Sequence, residues 1–191
     1  MKEITIPVPE GKKAEWINGV LTLVDEETKD NRPVMERIKT LDDAINELGE
    51  DNPLVQAYKS VDFNTSGNSR DVMDVIAYLK LRIIVSALNE GWEPQFTTDE
   101  YRYYPYFYLY TKEELAEKSD EWKESHKLWL FGGLSHGGSN CGLAYALSYA
   151  AWTYSGSDVS ARLALKSEEL AIYCGKQFVD IWADYVGPFN R

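Results

Sequence analysis

The stretch Val72-Met73-Asp74-Val75-Ile76-Ala77-Tyr78-Leu79-Lys80-Leu81-Arg82-Ile83-Ile84-Val85-Ser86-Ala87-Leu88 decides how this chain folds. Val72, Val75, Ile76, Leu79, Ile83, Ile84 and Leu88 recur at steps of three and four residues, the spacing of one face of an α-helix. Residues 71–89 are therefore expected as the longest helix and the central packing element. Ser69 or Asp71 can cap its start, after a polar loop over 62–69, and Gly91 ends it.

Upstream, Thr40 is an N-cap for a helix over 41–48 with Gly49 as its C-terminal stop, and a second short helix follows Asn52-Pro53. Further back, Ile4, Ile6 and Val8 alternate with polar or turn residues, and Asn18-Gly19 lies between apolar flanks. That dipeptide supplies the positive φ angles a tight hairpin needs. Residues 2–24 are thus expected as a small β element with an exposed edge, joined by a polar connection. The domain reading is an N-terminal β element and linker over 1–32, then one α+β domain over 33–191.

Downstream, Pro94 bars any continuation of the long helix. Tyr-Arg-Tyr-Tyr-Pro-Tyr-Phe-Tyr-Leu-Tyr over 101–110 favours an extended segment with Pro105 at an edge or bend. Residues 112–127 are charged and helix-prone behind a Thr111 cap, a surface excursion. Leu128-Trp129-Leu130-Phe131 reads as a short buried strand halted by Gly132-Gly133, residues 134–160 as irregular structure with one or two short strands, and 161–165 as a strand. Ser167 caps a final helix whose apolar face carries Leu170, Ile172, Tyr173, Phe178, Ile181 and Trp182 and which Gly187-Pro188 stops. The expected fold is α+β: a mixed, mostly antiparallel sheet packed on two main helices, with the N-terminal β element.

A formal charge of -11 disfavours nucleic-acid binding through a basic face and attachment to anionic lipid. No apolar run reaches the ~20 residues of a membrane span. Two Cys and two His are too few for a zinc ribbon or a disulfide scaffold. Cys141 is expected in a loop and Cys174 in a helix, as small buried thiols. Met1 to Pro7 lack the apolar core of a secretory signal, so synthesis and folding in a cytoplasm are expected.

Three blocks resemble uncharacterised proteins of phages and prophages of Bacteroides-type gut bacteria. They are Leu79-Lys80-Leu81-Arg82-Ile83-Ile84 through Gly91-Trp92-Glu93-Pro94, then Tyr103-Tyr104-Pro105-Tyr106-Phe107, and the long block from Ser160-Ala161-Arg162-Leu163 to Gly175-Lys176-Gln177-Phe178. This likeness implies a bacterial host cytoplasm at synthesis and a place in or near the virion. A second likeness rests on Trp129-Leu130-Phe131-Gly132-Gly133, a stretch of small and aromatic residues, and Ser160-Ala161-Arg162-Leu163-Ala164. That order is similar to the ending of C-type-lectin-like domains of the formylglycine-generating-enzyme type, which include ligand-binding proteins varied by diversity-generating retroelements. Those domains usually close with Gly-Phe-Arg-Leu, whereas here Ser160-Ala161 precedes Arg162-Leu163 and a whole helix follows.

The composition is 13% aromatic, and outside the helices this excess gathers in 101–110 and 145–154. Tyr and Trp give contact area at little entropic cost, while Ser, Asn and Gly give adaptable polar contacts. Candidate ligand-binding residues are Tyr104, Tyr106, Trp129, His136, Ser139, Asn140, Tyr145, Ser148, Tyr149, Trp152 and Tyr154. The alternative, that these aromatics fill a core, stands beside it.

Gly133-Leu134-Ser135-His136-Gly137 fits Gly-x-Ser-x-Gly, but Gly137-Gly138 forbids the helix that motif requires. Adjacent acidic pairs such as Asp42-Asp43 diverge on a helix, and His126 reads as a solvated helix-face residue. The expectation is therefore a protein with no cofactor, no metal site and no enzymatic activity. It recognises a protein or glycan ligand through aromatic and small-residue loops, without nucleic acid or membrane insertion. The competing classes are a structural or assembly component of the virion, as a homo-oligomer or with other subunits, and an inhibitor of a host protein. A DNA mimic is set aside because Lys and Arg interrupt the acidic residues throughout.

Overall fold

The computed structural model describes residues 7–25, 30–61, 70–95, 97, 100–130, 141–151 and 161–187. The chain divides into two units, 1–33 and 34–191. In the first, β1 (Lys12–Ile17) pairs antiparallel with β2 (Val20–Asp25), Ile17 facing Val20 across the turn. Asn18 at φ 51° and Gly19 at φ 79° make the predicted tight turn. Cross-strand register puts Ala14, Trp16, Leu21 and Leu23 on one face and the Lys13–Glu15 ion pair, 2.8 Å, on the other.

The second unit begins with α1 (Val34–Arg37), α2 (Leu41–Leu48) and α3 (Pro53–Lys59). Thr40 caps α2 reciprocally: its hydroxyl accepts from the Asp43 backbone N–H while the Asp43 carboxylate accepts from the Thr40 N–H. Asn52 caps α3 ahead of Pro53. The long helix is α4 (Arg70–Leu88). Leu81, Ile83, Ile84, Val85 and Leu88 are buried against Ile38, Ala44, Ile45 and Val55 on one side and Leu170, Cys174 and Trp182 on the other.

A three-stranded sheet follows, in the order β3 (Arg102–Thr111), β5 (Cys141–Ala151), β4 (Trp129–Leu130), with every described pairing antiparallel. Between β3 and β4 lie α5 (Lys112–Ala116), capped by Thr111 and Glu114 as a box, and α6 (Asp120–Ser125), capped by Ser119. The chain closes with α7 (Glu168–Gln177), capped by Ser167, and α8 (Val179–Val186). The fold is α+β.

Five expectations are corrected. The segment read as irregular with one or two short strands holds the central strand of the sheet, β5, 11 residues long. Its inner face meets helices and its outer face meets Leu115, Leu128 and Leu130 at Gly142, so a residue without a side chain sits there where alternation was sought. Cys141 accordingly starts a strand rather than lying in a loop. Residues 161–165 form a 3₁₀ turn (Ala161–Leu163) and a single bridge from Leu165 to Tyr103. The Asn89 side chain captures this segment, donating to the Ala164 carbonyl at 2.8 Å and accepting from the Lys166 N–H at 3.1 Å. Trp129 and Leu130 form an edge strand, 38% and 45% exposed, instead of a buried one. The final helix breaks at Phe178, φ -115° and ψ 34°, so α7 lies on the sheet while α8 turns Trp182 and Ala183 towards Phe107 and Leu143.

Behind the sheet, an ion network ties the start of the unit to its end. The Arg37 guanidinium, 8% exposed, pairs with Glu47 and, at 2.6 Å, with Glu90, which also holds Lys166 at 2.8 Å. The Arg37 guanidinium is the buried partner, so removing both carboxylates would leave its charge uncompensated, unlike at a surface pair.

Candidate functional site on the outer face of the sheet

Pairing across β3 and β5 sorts the aromatic run by face. Phe107 stands opposite Tyr145 and Leu109 opposite Leu143 on the inner side. Tyr106 stands opposite Leu147, Tyr108 opposite Ala144 and Tyr110 opposite Gly142 on the outer side. A bulge in β5 between the Tyr145 and Leu147 positions keeps both sets in phase.

On the inner side, Phe107 packs edge-on to Tyr145 at 6.1 Å and against Trp182 at 5.6 Å. Gly175 of α7 makes that closeness feasible, because a Cβ there would meet Pro105 Cβ and Tyr145 Cδ2, each at 2.8 Å. Burial pushes the Tyr145 phenol up to about 12, with Glu168 adding to the shift, and it pushes the Cys174 thiol up to about 12 as well. Both groups stay protonated and unreactive at neutral pH.

On the outer side, ring follows ring. Tyr106 and Tyr108 are 5.4 Å apart, Tyr108 and Tyr110 6.3 Å, Tyr110 and Trp122 5.3 Å, all edge-to-face, and Trp122 stacks on His126 at 4.4 Å. The Lys118 ammonium lies 5.6 Å from the Tyr110 ring and 5.1 Å from the Trp122 ring. Each such ring pair contributes ~0.5–1.5 kcal/mol. The His126 ring is held by Nδ1, 2.9 Å from both the Trp122 carbonyl and Ser125 Oγ. At one end the strip is open, Tyr106 being 46% and Tyr108 50% exposed. At the other, burial and the nearby Tyr108 and Glu114 raise the Tyr110 phenol above its ordinary range.

The candidate residues part company here. Tyr106 and Trp129 are exposed. Tyr104 and Tyr145 are core instead, 4% and 5% exposed, because Trp92 and Ala164 cover the first and α7 the second. Burial raises the Tyr104 phenol while the Arg102 guanidinium opposes that shift. Ser148 and Tyr149 face Pro105 and Tyr104 in the β5 register. His136, Ser139, Asn140, Trp152 and Tyr154 lie outside the described residues.

Sequence reading missed Lys118, Trp122 and His126; the four-residue step from Trp122 to His126, along α6 and its C-cap, is the signal that puts those two on one side, whereas Lys118 lies in the connection between α5 and α6. It also missed a cleft of about 510 Å³ between α4 and the 3₁₀ turn, lined by Arg82, Ser86, Asn89, Trp92 and Arg162 among others. Among the described residues, no three His, Cys, Asp or Glu side chains converge, and no helix is long and apolar enough to cross a membrane.

Fold and surface together define an α+β protein whose small sheet is covered by helices on one face and presents a partly bare aromatic strip on the other. No family model, curated protein or solved structure matches the chain.

Proposed function

We propose that this is a phage- or prophage-encoded recognition protein that binds a protein or glycan ligand through the outer face of its sheet. The observation that carries the reading is the strip Tyr106, Tyr108, Tyr110, Trp122 and His126. Edge-to-face contacts fix the rings before any ligand arrives, so little side-chain freedom remains to be lost on binding. Leu147 and Leu130, both 45% exposed, extend the apolar ground of the face. In sequence, residues 134–140 and 152–160 on either side of β5 are rich in Gly and Ser, a composition that suits polar contacts. The likeness of the chain's ending to C-type-lectin-like variable domains supports the same use.

Flow cytometry of fluorescently labelled protein on Bacteroides-type gut bacteria tests the proposal, with purified surface polysaccharide and outer-membrane protein as separate competitors. Tyr106→Ala combined with Trp122→Ala should remove binding by about ten-fold or more while the unfolding transition stays cooperative. Binding unchanged by that pair removes the strip from any recognition role.

A second reading, a virion assembly component, draws on the hairpin. Trp16 is 73% and Leu23 40% exposed on one face of the hairpin, and a two-stranded hairpin is marginal on its own in water, so that apolar face suits burial against another subunit. Trp16→Ser would then deplete the protein from purified particles without affecting its expression.

A further inference from the structure

We infer that the outer edge of β3 is a homodimer interface, at which β3 of a second copy adds antiparallel about a two-fold axis through Tyr108. This goes beyond ligand recognition and does not depend on it.

β3 is an edge strand, and its backbone alternation is fixed at two points. Tyr103 exchanges both hydrogen bonds with Leu165, 3.0 and 2.9 Å, so its N–H and C=O point away from β5. Thr111 sends its N–H outward to the Glu114 carboxylate at 2.8 Å. The odd-numbered residues between them point the same way. Pro105 has no N–H to offer, which leaves the N–H and C=O groups of Phe107 and Leu109 as an open ladder among the described residues.

That open ladder is self-complementary in one register. With Tyr108 opposite the partner's Tyr108, Phe107 exchanges both bonds with the partner's Leu109, and Leu109 with the partner's Phe107. Centring on Phe107 would set Leu109 against the partner's Pro105, which lacks a donor. Centring on Leu109 would set Phe107 against the partner's Thr111, whose donor is already engaged.

The occupant follows from charge. The chain carries -11, yet residues 103–111 contain no charged side chain, so a second copy can lie along this edge without bringing carboxylates together. An exposed, uncharged edge is also the kind that proteins otherwise block with Lys or cover. Tyr106, Tyr108 and Leu109 are 46%, 50% and 54% exposed, so the edge is accessible at these positions. Pairing would join the two aromatic strips, Tyr106 facing the partner's Tyr110, into one surface.

Sedimentation velocity of the full chain across the micromolar range is expected to show a monomer–dimer equilibrium that tightens as salt screens the net charge. Leu109→Pro deletes an outward donor, and Tyr108→Lys sets like charges against each other on the axis. Each should weaken dimerisation by about ten-fold or more, with circular dichroism confirming the fold. Directly opposed residues that exchange no hydrogen bonds have Cα atoms about 4.5 Å apart, within disulfide reach. Under mild oxidant in a Cys141→Ser background, Tyr108→Cys should therefore cross-link to its own copy and Tyr106→Cys should not. A chain that stays monomeric, a dimer indifferent to both edge variants, equal cross-linking at 106 and 108, or a dimer lost on Trp16→Ala alone would each overturn the inference.

Discussion

Phe107 and Tyr108 are neighbours in one strand, similar in size and aromatic character, and they live in different environments. Phe107 is wedged between Tyr145 and Trp182, and its neighbour stands on the solvent side against Tyr106 and Tyr110. Nothing in their own chemistry separates them. The difference comes from other elements: Gly175, 68 positions beyond Phe107, lets α7 come close, and the break at Phe178 swings α8 under the inner face, while α5 and α6 cover only the Tyr110 end of the outer one. A face becomes core through what covers it.

Four measurements press on that contrast. Phe107→Ala should cost about 3 kcal/mol and lower Tm by about 10 °C in calorimetry, since it empties a packed site. Gly175→Ala should cost about 2 kcal/mol, because its methyl meets two atoms held in the sheet; an unchanged Tm would mean that α7 stands further off than the 2.8 Å contacts imply. Alkaline unfolding offers a third measurement. The Tyr145 phenol is raised to about 12 against an ordinary 10, so the stability it contributes is complete below pH 10 and is lost as pH rises from 10 towards 12. Tyr145→Phe should flatten that part of the stability profile, and an identical slope would assign the loss to other groups. Smallest of all, Tyr108→Ala should change stability by under ~1 kcal/mol; a loss as large as that of Phe107→Ala would abolish the distinction between the faces.

Much of the helical half was legible from local rules. Thr40, Thr111 and Ser167 each cap where expected and α3 follows Asn52-Pro53, while the three- and four-residue steps of α4 found the buried Ile76, Ile83, Ile84 and Leu88 but passed over Leu81 and Val85 and included Val75, which is 54% exposed. The Asn18-Gly19 hairpin was equally plain. What escaped depends on distant partners. β5 looks shapeless in part because Gly142 is small to suit Leu115, Leu128 and Leu130. Phe178 interrupts a helix with neither Gly nor Pro at the break itself, and Asn89 holds a loop 75 residues away. Tyr104 and Tyr145 were grouped with Tyr106 because composition cannot tell a covered ring from a bare one. Trp122 and His126 were within reach, had the charged excursion been read for its spacing of four, whereas Lys118 is placed by the connection between α5 and α6.

The position of α8 late in the chain has a consequence for biosynthesis. Phe107, Leu143 and Tyr145 emerge from the ribosome well before Trp182 and Ala183, so for several seconds of elongation the inner face of the sheet has no lid. During that interval an uncharged aromatic strand is bare on both faces, and the nascent chain presents the surface that holdase chaperones bind. Its yield in a cell is then set by how quickly the last helix arrives and by what shelters β3 until it does.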